Sequence, residues 1–151
     1  MKTGAIARLC RTLPFVPLLV SCGGISIGIF FSTLDRSVHS GVDTFRAVVV
    51  SEPTAWATLW SAHTSRLTPA PPPPLVDFST RTVVAVFLGP RPNACYAVRI
   101  EEIRTAPDRI VVYFTERRPG LHDVCAQVIT TPAHLVIVER TGLPFEFIKT
   151  N

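Results

Sequence analysis

Proline- and glycine-containing turns interrupt the second half of the chain at short, regular intervals. Between them lie segments rich in Val, Ile and Phe, which favour pleated strands. These segments predict six strands, over residues 82–88, 95–103, 109–116, 124–130, 134–139 and 144–148. Within 95–103, the alternation points Tyr96, Val98 and Ile100 toward the core. Short strands separated by such turns indicate an antiparallel sheet that is closed or sandwiched.

Two further strands and a helix precede this region. Residues 25–33 alternate apolar and polar, as a half-buried strand does, except that Phe30 falls on the polar side. Residues 34–43 have the composition of a polar loop, and residues 44–50 predict a second strand. The fold expected is α+β and mostly β: an antiparallel sheet or sandwich-like meander of about six to eight strands, with one N-terminal helix packed on it.

That helix is predicted over residues 52–63, with Ser51 as its N-cap and Pro53 in its first turn. Its apolar face carries, at helical spacing, Trp56, Leu59, Trp60 and His63. The two tryptophans are interpreted as core residues lying across the sheet, in preference to a ligand cage. The run Pro71–Pro74 favours a stiff polyproline connector over the surface.

The first 21 residues have the organisation of a bacterial lipoprotein signal peptide. A basic start precedes an apolar run, and Leu19–Cys22 ends in small residues and the cysteine that would carry lipid. Cleavage before Cys22 leaves a tether over residues 22–24 and one domain over residues 25–151. The location expected is the cell envelope, with the chain lipid-anchored at the outer membrane or the periplasmic face.

Two alternatives to a lipid anchor stay open. No charged residue lies between Arg11 and Asp35, so residues 12–34 are a candidate for a single uncleaved transmembrane anchor, although glycines and serines dilute its second half. A leader cut near Ser21 would instead release a secreted protein. All three interpretations place the domain outside the cytoplasm.

Charge and cysteine content bear on which partners and which cysteine chemistry the sequence favours. Without the basic residues of the leader (Lys2, Arg8 and Arg11), 12 basic residues remain against 11 acidic ones, so no clustered positive charge suggests nucleic-acid binding. After cleavage the cysteines other than Cys22 are Cys95 and Cys125, and an oxidising compartment favours a disulfide between them. Two free thiols are the alternative.

The sequence has no H-E-x-x-H motif, no Walker-type or dinucleotide-binding glycine loop and no EF-hand loop, and neither a metal nor a cofactor is expected. His122, beside Asp123 and near Cys125, is the one local group that suggests a nucleophile with a base, and a solvated turn explains it better. Arg91 and the pair Arg117–Arg118 also lie in turns. In a simple meander these turns meet at one end of the sheet, which makes that end a candidate partner surface for carboxylates; ordinary solvated arginines are the alternative.

Five segments carry a family resemblance: Trp56–Trp60, Pro74–Ser79, Val84–Gly89, Cys95–Val98 and Gln127–His134. In this order and spacing, and over most of residues 29–148, the chain resembles the PrcB C-terminal family, named after a lipoprotein-like subunit of a secreted bacterial protease complex.

The resemblance implies a binding or stabilising domain attached to a protease partner, with no catalytic residues to transfer. It makes Asp77 and Gln127 the main polar positions, and Asp77 is expected to cap the strand that follows it through backbone N–H groups. The function expected is an exported, lipid-anchored interaction domain for another envelope or secreted protein, a protease among the candidates. The alternatives are a protease inhibitor-like ligand that inserts its proline run or the 89–94 turn into a cleft, a cell-envelope small-molecule binder, and an enzyme.

Overall fold

The computed structural model describes residues 26–151, and the predicted leader and Cys22 lie outside these residues. The described part contains one helix, α1 (Pro53–Thr64), and eight strands. The strands are β1 (Ile27–Gly28), β2 (Phe31–Ser37), β3 (Arg46–Val50), β4 (Arg81–Phe87), β5 (Ala97–Thr105), β6 (Ile110–Arg117), β7 (Ala133–Glu139) and β8 (Phe145–Thr150).

The strands form two four-stranded sheets, with the orders β1-β5-β6-β8 and β2-β7-β4-β3. All pairings are antiparallel except that of β6 with β8. The predicted fold class, mostly β with one helix, is therefore confirmed. The pairs β3–β4 and β5–β6 are consecutive in sequence, whereas the other pairings join strands from distant parts of the chain.

Strand β4 is the centre of the molecule because both of its faces are covered. Val83, Ala85 and Phe87 contact the apolar face of α1, which carries Trp56 and Trp60. Val84 and Val86 point the other way, into the core shared with the opposite sheet. The domain thus has three layers, with the helix outside one sheet and the second sheet behind it, and a strand buried on both faces needs an uninterrupted apolar sequence.

Several element boundaries differ from the prediction. The single strand expected over 25–33 is divided into β1 and β2, and β2 continues to Ser37, inside the segment expected to be a loop. The residue at the N-cap of α1 is Glu52, which makes no side-chain capping hydrogen bond, and the predicted cap Ser51 lies one residue earlier, near Thr82. Pro53 still occupies the first turn, where it costs no hydrogen bond.

The strand predicted over 124–130 is wrong. The Val128 N–H donates to the carbonyl of Ala126, two residues earlier, which is a tight turn that no extended strand can contain. Only Thr130 pairs in a β-like manner, through an isolated bridge to Arg91. Apolar residues in this segment therefore face solvent instead of entering a sheet.

A close approach of backbone fixes the C-terminal end of α1. The Gly41 N–H donates to the carbonyl of His63 at 2.8 Å and satisfies one of the acceptors left free at a helix end. A Cβ atom on residue 41 would overlap Ser65 Oγ and the carbonyl oxygen of Ala62. The approach therefore requires glycine, which the sequence showed only as part of a turn.

His134 joins the two sheets. It lies on β7, is 3% exposed, and its Nδ1 accepts the N–H of Ile100 on β5 at 2.8 Å. Since Nδ1 is an acceptor, Nε2 carries the hydrogen and donates to Thr33 Oγ1 at 3.0 Å. Burial, assisted by Arg36 and Arg99, lowers the pKa of His134 to about 4, so the imidazole is neutral at pH 7.

We expect the free energy of unfolding to fall as the pH decreases from about 6.5 to about 4. Unfolded His134 takes up a proton near the ordinary value of 6.5, whereas folded His134 resists protonation until about pH 4, so the unfolded state binds more protons in this interval. Denaturant titrations at several pH values measure this slope. His134→Asn keeps an acceptor for Ile100 but cannot titrate, so it should remove most of this pH dependence of the free energy of unfolding. His122→Asn, in an exposed turn, is the control and should leave the pH dependence unchanged. An unchanged slope in His134→Asn would contradict the assignment.

Candidate functional site

Two loops and the ends of two strands form one basic end of the molecule, which we call the arginine end: Arg91, Tyr96, Glu116, Arg118 and Lys149. They surround a shallow depression of about 400 Å³. The loop at 88–96 enters β5 here, the loop after β6 leaves here, and the parallel strand β8 ends beside β6.

Glu116 organises the arginine end. Its side chain is 3% exposed, and its Oε1 accepts a hydrogen bond from Arg91 Nε at 2.6 Å. Its Oε2 accepts one from Lys149 and lies 3.7 Å from Arg118. Burial alone would raise the pKa of Glu116, but the hydrogen bonds from Arg91 and Lys149 outweigh it and the pKa is lowered. One carboxylate therefore gathers three cations, and a positive excess remains.

The structure brings only some of the predicted surface arginines together. Arg91 and Arg118 meet at Glu116, whereas Arg117 turns toward Asp123, 3.3 Å away. Sequence analysis missed Glu116 and Lys149, since they lie on strands distant from Arg91 in the chain. The alternation of β6 gave no sign that its glutamate faces inward beside a loop.

The segment that follows the arginine end, residues 118–129, is here named the tethered loop. It is not a strand, yet it is fixed at several points along its length. Cys125 lies at disulfide distance from Cys95, with Cα atoms 5.5 Å apart, as expected for the pair. The Ala94 N–H donates to the carbonyl of Ala126, and Asp123 accepts from the Gly120 N–H. In the chain-entropy model the crosslink, across 30 residues, contributes about 3–4 kcal/mol.

The tethered loop exposes apolar side chains. Leu121 and Val124 are each 100% exposed, and Val128 and Ile129 are partly so. Polar neighbours surround them, with Arg117, Arg118 and Asp123 in the same stretch of chain. Exposed apolar residues with polar neighbours are typical of protein-interaction surfaces.

Trp56 and Trp60 lie where a structural role places them. Both are buried against the sheet, and their indole N–H groups donate to the carbonyls of Pro74 and Pro71, at 3.0 and 2.9 Å. The proline connector is thus held across the helix by two hydrogen bonds. Sequence analysis identified the tryptophan pair and the connector separately and missed that they bind each other.

The remaining predicted residues have simple positions. Asp77 accepts hydrogen bonds from the N–H and hydroxyl of Ser79, which lower its pKa, and so closes the turn before β4. Tyr96 is half-buried at the rim of the arginine end. Gln127 is exposed and donates to the carbonyl of Cys125 within the tethered loop.

A buried polar cluster has the order of a hydrolase relay. His63 Nε2 lies 2.8 Å from Asp35 Oδ2, and His63 Nδ1 lies 3.0 Å from Ser40 Oγ. Ser40, however, is 0% exposed and also accepts the Val42 N–H, so in this conformation no substrate carbonyl can reach the hydroxyl. The cluster instead joins the loop after β2 to the end of α1.

His122 and Cys125, the pair that suggested a nucleophile and base, show no such contact among the described residues. Cys125 is bonded to Cys95, and His122 lies exposed in the tethered loop. In the described part of the chain no group of three or more His, Cys, Asp or Glu residues is placed to hold a metal ion.

Residues 82–139 match the model of the family described as PrcB C-terminal. This segment belongs to the PrcB C-terminal family. The match runs from β4 to β7 and includes both cysteines, Glu116, the tethered loop and His134. No curated protein and no solved structure matches the chain.

Membership of this family indicates an envelope-associated protein. Within residues 26–151, no helix has the length and apolar character needed to cross a membrane.

Glu116→Gln should lower the free energy of unfolding by about 1–3 kcal/mol, because it removes a buried charge that accepts from Arg91 and Lys149. Urea denaturation at pH 7 measures the loss. Glu146→Gln is the matched control, since Glu146 pairs with Arg109 at an exposed site and should change stability by less than about 0.5 kcal/mol. Equal effects of the two variants would show that Glu116 does not organise the arginine end.

Proposed function

We propose that the chain is an exported, lipid-anchored domain that binds or stabilises another envelope or secreted protein, with a protease as the first candidate partner. The exposed apolar residues of the tethered loop are the observation that carries the proposal. Leu121 and Val124 are fully exposed and contribute no burial free energy to the fold. Burying such side chains against a partner would contribute about 1.5–3 kcal/mol each to the free energy of binding.

The tethered loop suits binding because it is already ordered. The crosslink at Cys125 and the hydrogen bond at Ala126 hold it before any partner arrives, which reduces the conformational entropy lost on association. Beside it, Arg117 and Arg118 are two-thirds exposed and supply positive charge. An acidic partner surface would be attracted to this end and oriented by it.

The position of β1, the first strand of the described residues, supports the same arrangement. β1 pairs with the last residues of β5, Ile27 opposite Thr105, whereas the arginine end lies at the first residues of β5, where Ala97 pairs with Arg117. The nine residues of β5 span about 30 Å. A lipid on Cys22 would therefore hold one end of the domain at the membrane and direct the tethered loop away from it.

The inhibitor-like alternative fits the geometry less well. It requires the proline run or the 89–94 turn to enter a protease cleft. The proline run is bound by the two tryptophan indoles, and Arg91 and Ala94 attach the turn to residues 130 and 126. Neither segment projects freely from the domain.

Replacing Leu121 and Val124 with serine should weaken partner binding at least about ten-fold without changing the thermal midpoint, because both side chains are fully exposed in the free domain. The full chain, crosslinked in the envelope of its own cell and purified by an affinity tag, reports the bound proteins by quantitative mass spectrometry. Leu75→Ser is the matched control, since Leu75 is equally exposed on the proline connector. A partner that is retained by the double variant, or lost equally in Leu75→Ser, would argue against this surface.

The anchor is tested separately. The mature chain should begin at Cys22 and carry acyl chains, and Cys22→Ser should lose the acyl label while Cys10→Ser, within the leader, should keep it. Intact mass spectrometry and metabolic labelling with a fatty acid give the result. An uncleaved unlabelled chain would indicate a transmembrane anchor, and a cleaved unlabelled chain would indicate secretion; either would refute lipidation.

A further inference from the structure

The four sheet edges of the domain are protected to very different degrees. β1 has only two residues, and β2 carries a bulge between Thr33 and Asp35. β8 places Glu146 and Lys149 along its length. Short strands, bulges and charged side chains are the usual means by which proteins prevent edge-to-edge pairing.

β3 is less protected, because its one charged residue, Arg46, occupies its first position. It pairs with β4 in continuous register, without a bulge, and its last four residues are Ala47–Val50. Among the described residues, no backbone hydrogen bond outside the β3–β4 ladder involves Arg46–Val50. One side of an apolar strand is therefore left with unpaired donors and acceptors.

A groove of about 690 Å³ runs along this edge, between β3 and α1. The helix contributes small exposed side chains to the groove: Thr54, Ala55, Thr58 and Ala62. These side chains do not close the edge, so another strand can reach β3, and a second helix can approach α1 on the same face of the sheet.

The charges at the two ends of the groove indicate its occupant. Arg46 begins β3, and Glu52 follows it with extended backbone angles (φ −133°, ψ 138°). Both residues are exposed, and no ion pair is formed by either one within the described chain. If two copies pair antiparallel about Val49, Arg46 of each copy lies opposite Glu52 of the other.

We propose that β3 is a self-association edge, at which two copies of this chain pair antiparallel about a two-fold axis through Val49 and join their sheets into one. The strand is self-complementary in this register: Val48 meets Val50 of the second copy, and two Arg46–Glu52 ion pairs close the ends. A two-fold relation also brings the small faces of the two helices together. The proposal does not depend on the tethered loop or on lipidation.

Charge reversal tests the register. Two differently tagged copies of the full chain are co-expressed, and one is recovered after detergent extraction. Wild-type copies should co-purify. Arg46→Glu places like charges at both ends of the pair, as does Glu52→Arg, so each variant should associate with itself at least about ten-fold more weakly. The Arg46→Glu chain mixed with the Glu52→Arg chain has opposite charges at both contacts and should co-purify like wild type.

Glu146→Arg, on the β8 edge of the other sheet, is the control and should not alter recovery. Thermal midpoints establish that each variant folds. Three results would overturn the proposal: wild-type copies that do not associate, single variants that associate as well as wild type, and a mixed pair that is not restored. If wild-type copies do not associate, the occupant of the β3 edge is a different protein. If the single variants associate as well as wild type, self-association occurs at another surface.

Discussion

The two-sided burial of β4 is the constraint on which the rest of this structure depends. Each residue from Val83 to Phe87 is completely inaccessible to solvent. Odd positions of the strand require a layer of tryptophan and leucine from α1, and even positions require the opposite sheet. The helix that covers one face comes from the first half of the sequence, and β5, β6 and β8 of the opposite sheet come from the second half, so the domain forms as one unit.

The sequence predicts most of the local structure and little of the long-range structure. The helix face is recognisable because Trp56 and Trp60 are spaced by one turn, and β4 because five apolar residues follow one another. His134 and Glu116 were not recognised, because their partners are brought near only by the tertiary structure: Ile100 by the packing of one sheet on the other, Lys149 by the pairing of β8 with β6, and Arg91 by the loop that precedes β5. The prediction of a strand at 124–130 was wrong for a related reason. Its apolar composition is that of a strand, but in the fold the segment does not join either sheet.

The candidate site was found in part. The prediction that Arg91, Arg117 and Arg118 share one end of the sheet followed from the position of turns, and of the three Arg91 and Arg118 approach Glu116. The apolar content of residues 124–130 carries the more useful information, but it predicts a strand. Apolar residues that follow a proline–glycine turn on both sides of a crosslinked cysteine fit either role, and only the tertiary structure distinguishes a buried strand from an exposed contact surface.

The proline connector has a consequence for solubility. Pro71–Pro74 lies over the tryptophans and covers them from solvent. Its carbonyl oxygens accept the two indole N–H groups, so these buried donors are satisfied. A prolyl residue has no amide hydrogen, so the connector has backbone acceptors but no backbone donors along those four residues. An extended segment of other residues in the same place would expose backbone N–H donors with which another chain could pair. The proline connector covers the helix without offering such donors.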